Sequence, residues 1–151
     1  MTITLDYTDL HFDDDSVVLA ASELEFEFEL LLALIVFRVD AADFSFDEYT
    51  TLLDAAAILR GRVRLLGDGE TSTYESPVSG EVLTFARSGD QVAISANYTE
   101  ATATISLAEL KEALSEFYQR VVQDLLIRYP GLEEVPGARG YLAPDSTPDA
   151  A

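Results

Sequence analysis

The chain has 151 residues, with 28 acidic side chains against 9 basic ones, a formal net charge of −19 and no cysteine. That length suits one domain able to bury a core without cross-links, and the missing thiols exclude disulfides, thiolate metal sites and cysteine nucleophiles. So large a negative charge disfavours nucleic acid and anionic membrane, both polyanions, and favours a basic partner or none. Residues 1–54 carry 14 of the acids, with Arg38 as their one base, so the first third of the chain sets the field.

In chain order, Ile3, Leu5 and Tyr7 alternate with polar residues and read as a first strand rather than as a secretion leader. The longest uncharged apolar run, Leu30 to Phe37, is far shorter than the roughly 20 residues that span a bilayer, so a soluble protein of the reducing cytoplasm is expected. Asp9, Asp13, Asp14 and Asp15, with His11 and Phe12 among them, read as a solvated acidic loop.

The stretch from Glu23 to Val39 then looks like the backbone of a sheet. Glu23, Glu25, Glu27 and Glu29 alternate with Leu24, Phe26, Phe28 and Leu30, which is the period of a strand with one dry face and one wet face. With residues 16–21 read as extended chain leading into it, a run from Val17 to Val39 would be long enough to demand a bulge or sharp bend between Ser22 and Leu34. Successive carboxylates on the wet face would stand about 6.7 Å apart and repel by about 0.6 kcal/mol per pair in water. Such a comb either keeps an apolar strand soluble and unpaired or serves as a docking surface for a basic protein. A sharper form of the second reading has the carboxylates imitating the phosphates of a nucleic acid in a nuclease's groove.

Ser45, Phe46, Asp47 and Glu48 spell a capping box, with Phe44 and Tyr49 placed as its hydrophobic staple, and predict a first helix over 46–60 that stops at Gly61. Short extended pieces follow: 62–66, 70–76, 77–80, 81–87, 91–98 across Ser88-Gly89-Asp90, and 101–105, as an antiparallel meander. Ser106, Leu107, Ala108 and Glu109 form a second capping box. Leu110, Leu114, Phe117, Val121 and Leu125 recur at helical spacing behind it, up to Arg128 and Pro130-Gly131. These elements predict an α+β fold: a single two-layer domain over 1–130, with a mainly antiparallel sheet of about five to six strands and two helices packed on one face. Residues 131–151, rich in Pro and Gly, read as a loosely docked or disordered tail, with Tyr141 and Leu142 as its anchors.

Chemistry is sparsely represented. His11 among aspartates matches no calcium loop, and with one histidine and no nucleophile elbow a Ser-His-Asp set has little to build on. Lys111 reads as a surface lysine, and Arg60, Arg62 and Arg64 as internal partners for acids or, less simply, an anion site. No cofactor, metal or catalytic residue is expected. The alternatives to a binding protein are a hydrolase using a carboxylate pair, a structural or oligomerising domain, or a composition adapted to strong salt. The partner-binding candidates are Asp13, Asp14, Asp15, Glu23, Glu25, Glu27 and Glu29, with Tyr7 or Phe12 as aromatic anchors.

In design the chain resembles the small acidic immunity proteins of bacterial toxin and contact-competition systems. The likeness lies in one acidic α+β domain over residues 1–130, a capped helix after a long strand, and a closing helix, SLAELKEALSEFYQRVVQDLL, before YPG. It implies one-to-one binding of a cognate toxin and blockage of its active site or substrate groove. No family residue carries over by position, so the candidate contacts above come from the charge pattern alone.

Overall fold

The N-terminal alternation forms β1 (Ile3–Thr8), which pairs antiparallel with β2 (Leu32–Val39) in a register that sets Ile3 opposite Val39 and Thr8 opposite Leu34. Leu5 and Tyr7 thereby share a face with Phe37, Ile35 and Ala33, and that face turns to the core. The computed structural model describes residues 2–142. Within them the architecture is α+β, with two four-stranded antiparallel sheets and five α-helices.

The expected single sheet is thus two. On its second edge β2 pairs first with β3 (Ala42–Asp43) and then with β4 (Thr50–Thr51). Between them the chain stays extended, with Phe44 N–H donating to Phe37 O and Phe46 N–H to Ile35 O. The edge is used up before the meander begins. That meander, β5 (Thr71–Glu75), β6 (Val82–Ser88), β7 (Gln91–Ala96) and β8 (Ala103–Ser106), closes in sequence order as a separate sheet. The hairpin at Gly89-Asp90 is as expected, and Gly89 takes the positive φ of 62° that the turn needs. Residues 62–66, expected as extended chain, lie in or beside a helix.

That helix, α3 (Leu52–Arg64), starts later and runs further than the capping box at Ser45 implied. Phe44 and Phe46 are both buried, and their alternation along β2 wins over helix initiation. Ser45 Oγ accepts from Phe37 N–H instead, and the amides of Asp47 and Glu48 donate to the Glu81 carboxylate at 2.9 and 3.2 Å. The helix passes through Gly61, an interior glycine that costs about 1 kcal/mol relative to alanine. The second capping signal is realised: Ser106 Oγ accepts from Glu109 N–H, and α4 (Leu107–Arg128) buries Leu110, Leu114, Phe117, Val121 and Leu125. Helices α3 and α4 pack on each other and on strands of both sheets, forming one continuous core. No described helix is long and apolar enough to cross a membrane.

Two further short helices, α1 (Asp15–Val18) and α2 (Glu23–Phe28), occupy the stretch expected as loop and strand. At the other end, residues 131–142 are packed rather than loosely docked: a 3-10 turn (Leu132–Glu134) leads into α5 (Pro136–Leu142), and Leu132, Val135, Ala138 and Tyr141 are buried. Gly137 is required there, because a Cβ would lie 2.4 Å from Ala21 O at the entry to α2. The remainder of the expected tail, 143–151, lies outside the described residues.

The two sheets are joined by polar groups. Glu81, 7% exposed, bridges the 47–48 loop and Ser79 Oγ; Thr50 Oγ1 lies 2.7 Å from Ser76 Oγ; and Tyr98 OH donates to Phe44 O. Removing the Glu81 carboxylate leaves amides without an acceptor. We therefore expect Glu81→Ala to lower stability by about 2–3 kcal/mol in urea unfolding, against a change within about 0.5 kcal/mol for the exposed Glu75→Ala.

Candidate functional site

Residues 9–31 leave the end of β1 and return to the start of β2, its direct neighbour, so they form an excursion closed at its base. His11 N–H donates to Leu32 O at 2.8 Å, and Leu31 N–H donates to the Asp13 carboxylate at 2.8 Å. The exit and return residues, Asp9 and Leu31, both take left-handed backbone, with φ of 53° and 57°.

Within the excursion Asp14 caps α1, accepting from the amide and hydroxyl of Ser16, and these bonds hold its carboxyl below the ordinary aspartate range. Asp15 pairs with Arg128 of α4 at 2.7 Å, and the same guanidinium lies over the rings of Tyr129 and Phe12. Asp13 also accepts from Tyr129 OH through its backbone carbonyl. The aspartate loop is therefore pinned to α4 and β2 by named bonds.

The glutamate comb does not exist as a strand face. Ser22 Oγ accepts from Glu25 N–H and the Glu25 carboxylate accepts from Ser22 N–H, a complete capping box that starts α2. Ser22-x-x-Glu25 is the same signal as at Ser45 and Ser106, and here the period-two alternation masks it. At about 100° per residue the alternation redistributes. Phe26 turns inward, 1% exposed, while Leu24 and Phe28 stand one turn apart on the outer face, 65% and 47% exposed. Glu23 and Glu27 fall to one side of that apolar pair and Glu25 and Glu29 to the other. The four carboxylates come together as two flanking pairs, not as one row.

Phe12, Val17 and Leu19 are also exposed, so the excursion holds five of the described chain's exposed large apolar side chains together with eight acids and no Lys or Arg of its own. Scattered exposed apolar residues are ordinary, whereas here five fall within one excursion of the chain. Of the two proposed aromatic anchors, Phe12 is open, while Tyr7 is half-buried and donates to Asp124. His11 packs against the Tyr49 ring at 4.8 Å, and Tyr49 OH donates to Asp9. Among the described residues no group of three or more His, Asp or Glu is arranged to hold a metal ion.

One acid escaped the sequence reading. Asp54, in the first turn of α3, is 5% exposed and accepts from Tyr141 OH at 3.0 Å. Burial first, then the charges of Glu27 and Glu23, push its carboxyl up to about 6 against the opposing Tyr141 bond. Asp54 and Glu27 line a cleft of about 240 Å³ with Arg62 and Tyr74. Of the arginine cluster, Arg60 lies 3.8 Å over the Tyr118 ring.

No protein-family model matches the chain, and comparison with curated proteins and with solved structures finds no match.

Because the Asp54 carboxyl titrates higher folded than unfolded, the native state binds more protons between the ordinary value of 3.8 and about 6. Its contribution to stability is full below 3.8 and is lost as pH rises through about 6. Asp54→Asn, which keeps the acceptor for Tyr141, is expected to match the parent near pH 4 and to exceed it by about 2–3 kcal/mol at pH 7.5. Urea unfolding at the two pH values checks this, and a difference independent of pH contradicts it.

Proposed function

We propose that this chain is an acidic binding protein that neutralises a basic protein partner, acting as the immunity protein of a bacterial toxin. The observation that supports this reading is the outer face of α2, where Leu24 and Phe28 project between the Glu23/Glu27 and Glu25/Glu29 pairs. A helix with an apolar ridge and acidic flanks suits a groove with an apolar floor and a cationic rim. The carboxylates speed encounter and reject anionic surfaces, while the two apolar side chains supply the buried contact. Imitation of nucleic acid loses its geometric basis, since the regular spacing along a strand is absent.

A second reading, a hydrolase built on a carboxylate pair, is favoured by the cleft shared by Asp54 and Glu27, with one carboxyl raised and the other near it. It requires Asp54 to be essential to turnover, whereas the binding reading lets Asp54→Asn pass without effect on the partner.

The binding reading is tested against the protein encoded by the neighbouring reading frame. Leu24→Ala combined with Phe28→Ala is expected to weaken binding by about 2 kcal/mol or more, chiefly through faster dissociation. Glu23→Gln, Glu27→Gln and Glu29→Gln together are expected to slow association several-fold and flatten its salt dependence. Glu25 is left in place because its carboxylate closes the cap. Unchanged rates in both variants contradict the proposal.

A further inference from the structure

A second open feature lies at the edge of the second sheet, where Glu27 is the one residue of α2 that lines it. β5 is an edge strand, bonded to β6 on one side only. Ser76 N–H donates inward to Glu81 O, so by the alternation of an antiparallel ladder the N–H and C=O groups of Thr71, Thr73 and Glu75 point outward. Among the described residues no hydrogen bond is made to those outward groups. The edge of β1 is treated differently: Arg120 donates to Leu5 O and the Asp6 carboxylate accepts from Tyr7 N–H, which blunts it against pairing.

Beside the open edge, Ala57, Ile58 and Gly61 of α3 are partly exposed and Arg62 and the C-cap residue Leu65 are exposed, along two turns of one face. Two cavities run along this line, one of about 520 Å³ between that face and Thr71 and Ser72, the other the 240 Å³ cleft at Thr73 to Glu75. They share Ile58 and Arg62 and so lie end to end as a trough in two parts, about 17 Å long if measured by the five residues of β5. Its larger part is apolar, with Leu65 64% exposed at the rim. Four carboxylates, Glu27, Asp54, Glu70 and Glu75, line it against one base, Arg62.

We propose that this trough binds an extended, cationic peptide segment of a partner protein, which adds as a strand to β5. The outward amides and carbonyls supply the ladder, an apolar side chain enters the cavity beside Gly61, and a lysine or arginine reaches the Glu27–Glu75 end. A second copy of the chain fits less well, because each copy brings a net charge of −19 to the contact. The proposal shares Glu27 with α2 but does not rest on the outward face of Leu24 and Phe28.

The test is an amide-resolved NMR titration of the full chain with a synthetic alternating lysine–valine octapeptide, and with its glutamate–valine counterpart as control. Shifts and slowed exchange are expected at the amides of Thr71, Thr73 and Glu75 with the lysine peptide alone. Gly61→Leu fills the trough where a Cβ meets nothing within 4 Å, so it should keep or raise thermal stability while weakening the peptide roughly tenfold. Leu24→Asp with Phe28→Asp should leave this titration unchanged, which separates the trough from the α2 surface. No response at the three amides at millimolar peptide, an equal response to the glutamate peptide, or protection of those amides by self-association without peptide would each overturn the proposal.

Discussion

The pairing of β1 with β2 is the constraint on which the rest of the structure depends. Once Thr8 lies opposite Leu34, residues 9–31 must depart from and return to one place, and a chain bound in that way cannot continue as a straight strand. The closure is visible in the backbone. Asp9, whose side chain tolerates left-handed φ, turns the chain out, and Leu31, which does not, turns it back at a cost of about 1–2 kcal/mol. That cost is offset locally, since Leu31 is fully buried, its amide meets the Asp13 carboxylate and its carbonyl accepts from Leu52 N–H at the start of α3. The base of the excursion and the first turn of the main helix are therefore a single hydrogen-bonded unit. Thr51 Oγ1, bonded to Glu27 O, ties α2 into the same unit.

This explains which parts of the fold were legible in the residues. Helix α4 was, because its capping box, its apolar spacing and its terminal Pro-Gly agree. The hairpin of β6 and β7 was, because turn chemistry and alternation agree. At Ser45 and at Ser22 two local signals disagree, and tertiary pairing decides between them in opposite senses. Phe44 and Phe46 have a strand edge to pair with, so alternation prevails over the cap; residues 23–29 have none, so the cap prevails over alternation. Neither outcome can be read from a short window. The packing of residues 131–142 was also hidden, because its reason is a close approach at Gly137 and a hydroxyl-to-carboxylate bond from Tyr141 to Asp54, far away in the chain.

The acidity of the chain has two components that composition alone merges. Asp13, Asp14, Glu25 and Glu81 accept hydrogen bonds from backbone amides, and Asp54 and Asp124 accept from tyrosine hydroxyls, so these acids shape the fold. Carboxylates used in this way need no counter-cation, which fits a chain with few bases. Glu23, Glu27 and Glu29 have no such bond among the described residues and stand around exposed apolar side chains. The charge pattern picked out these glutamates, but it set them on a strand face where the chain forms a helix. Its apolar half, Leu24 and Phe28, appears only once the helix is recognised.

The central claim is that residues 22–29 are a capped helix presenting Leu24 and Phe28 outward. Sequential NOEs across this stretch in the isolated chain test it most directly. The account predicts strong amide-to-amide contacts from Glu23 to Phe28 and a slowly exchanging Glu25 amide held by Ser22. Strong contacts from each Hα to the following amide, the signature of extended chain, would contradict it.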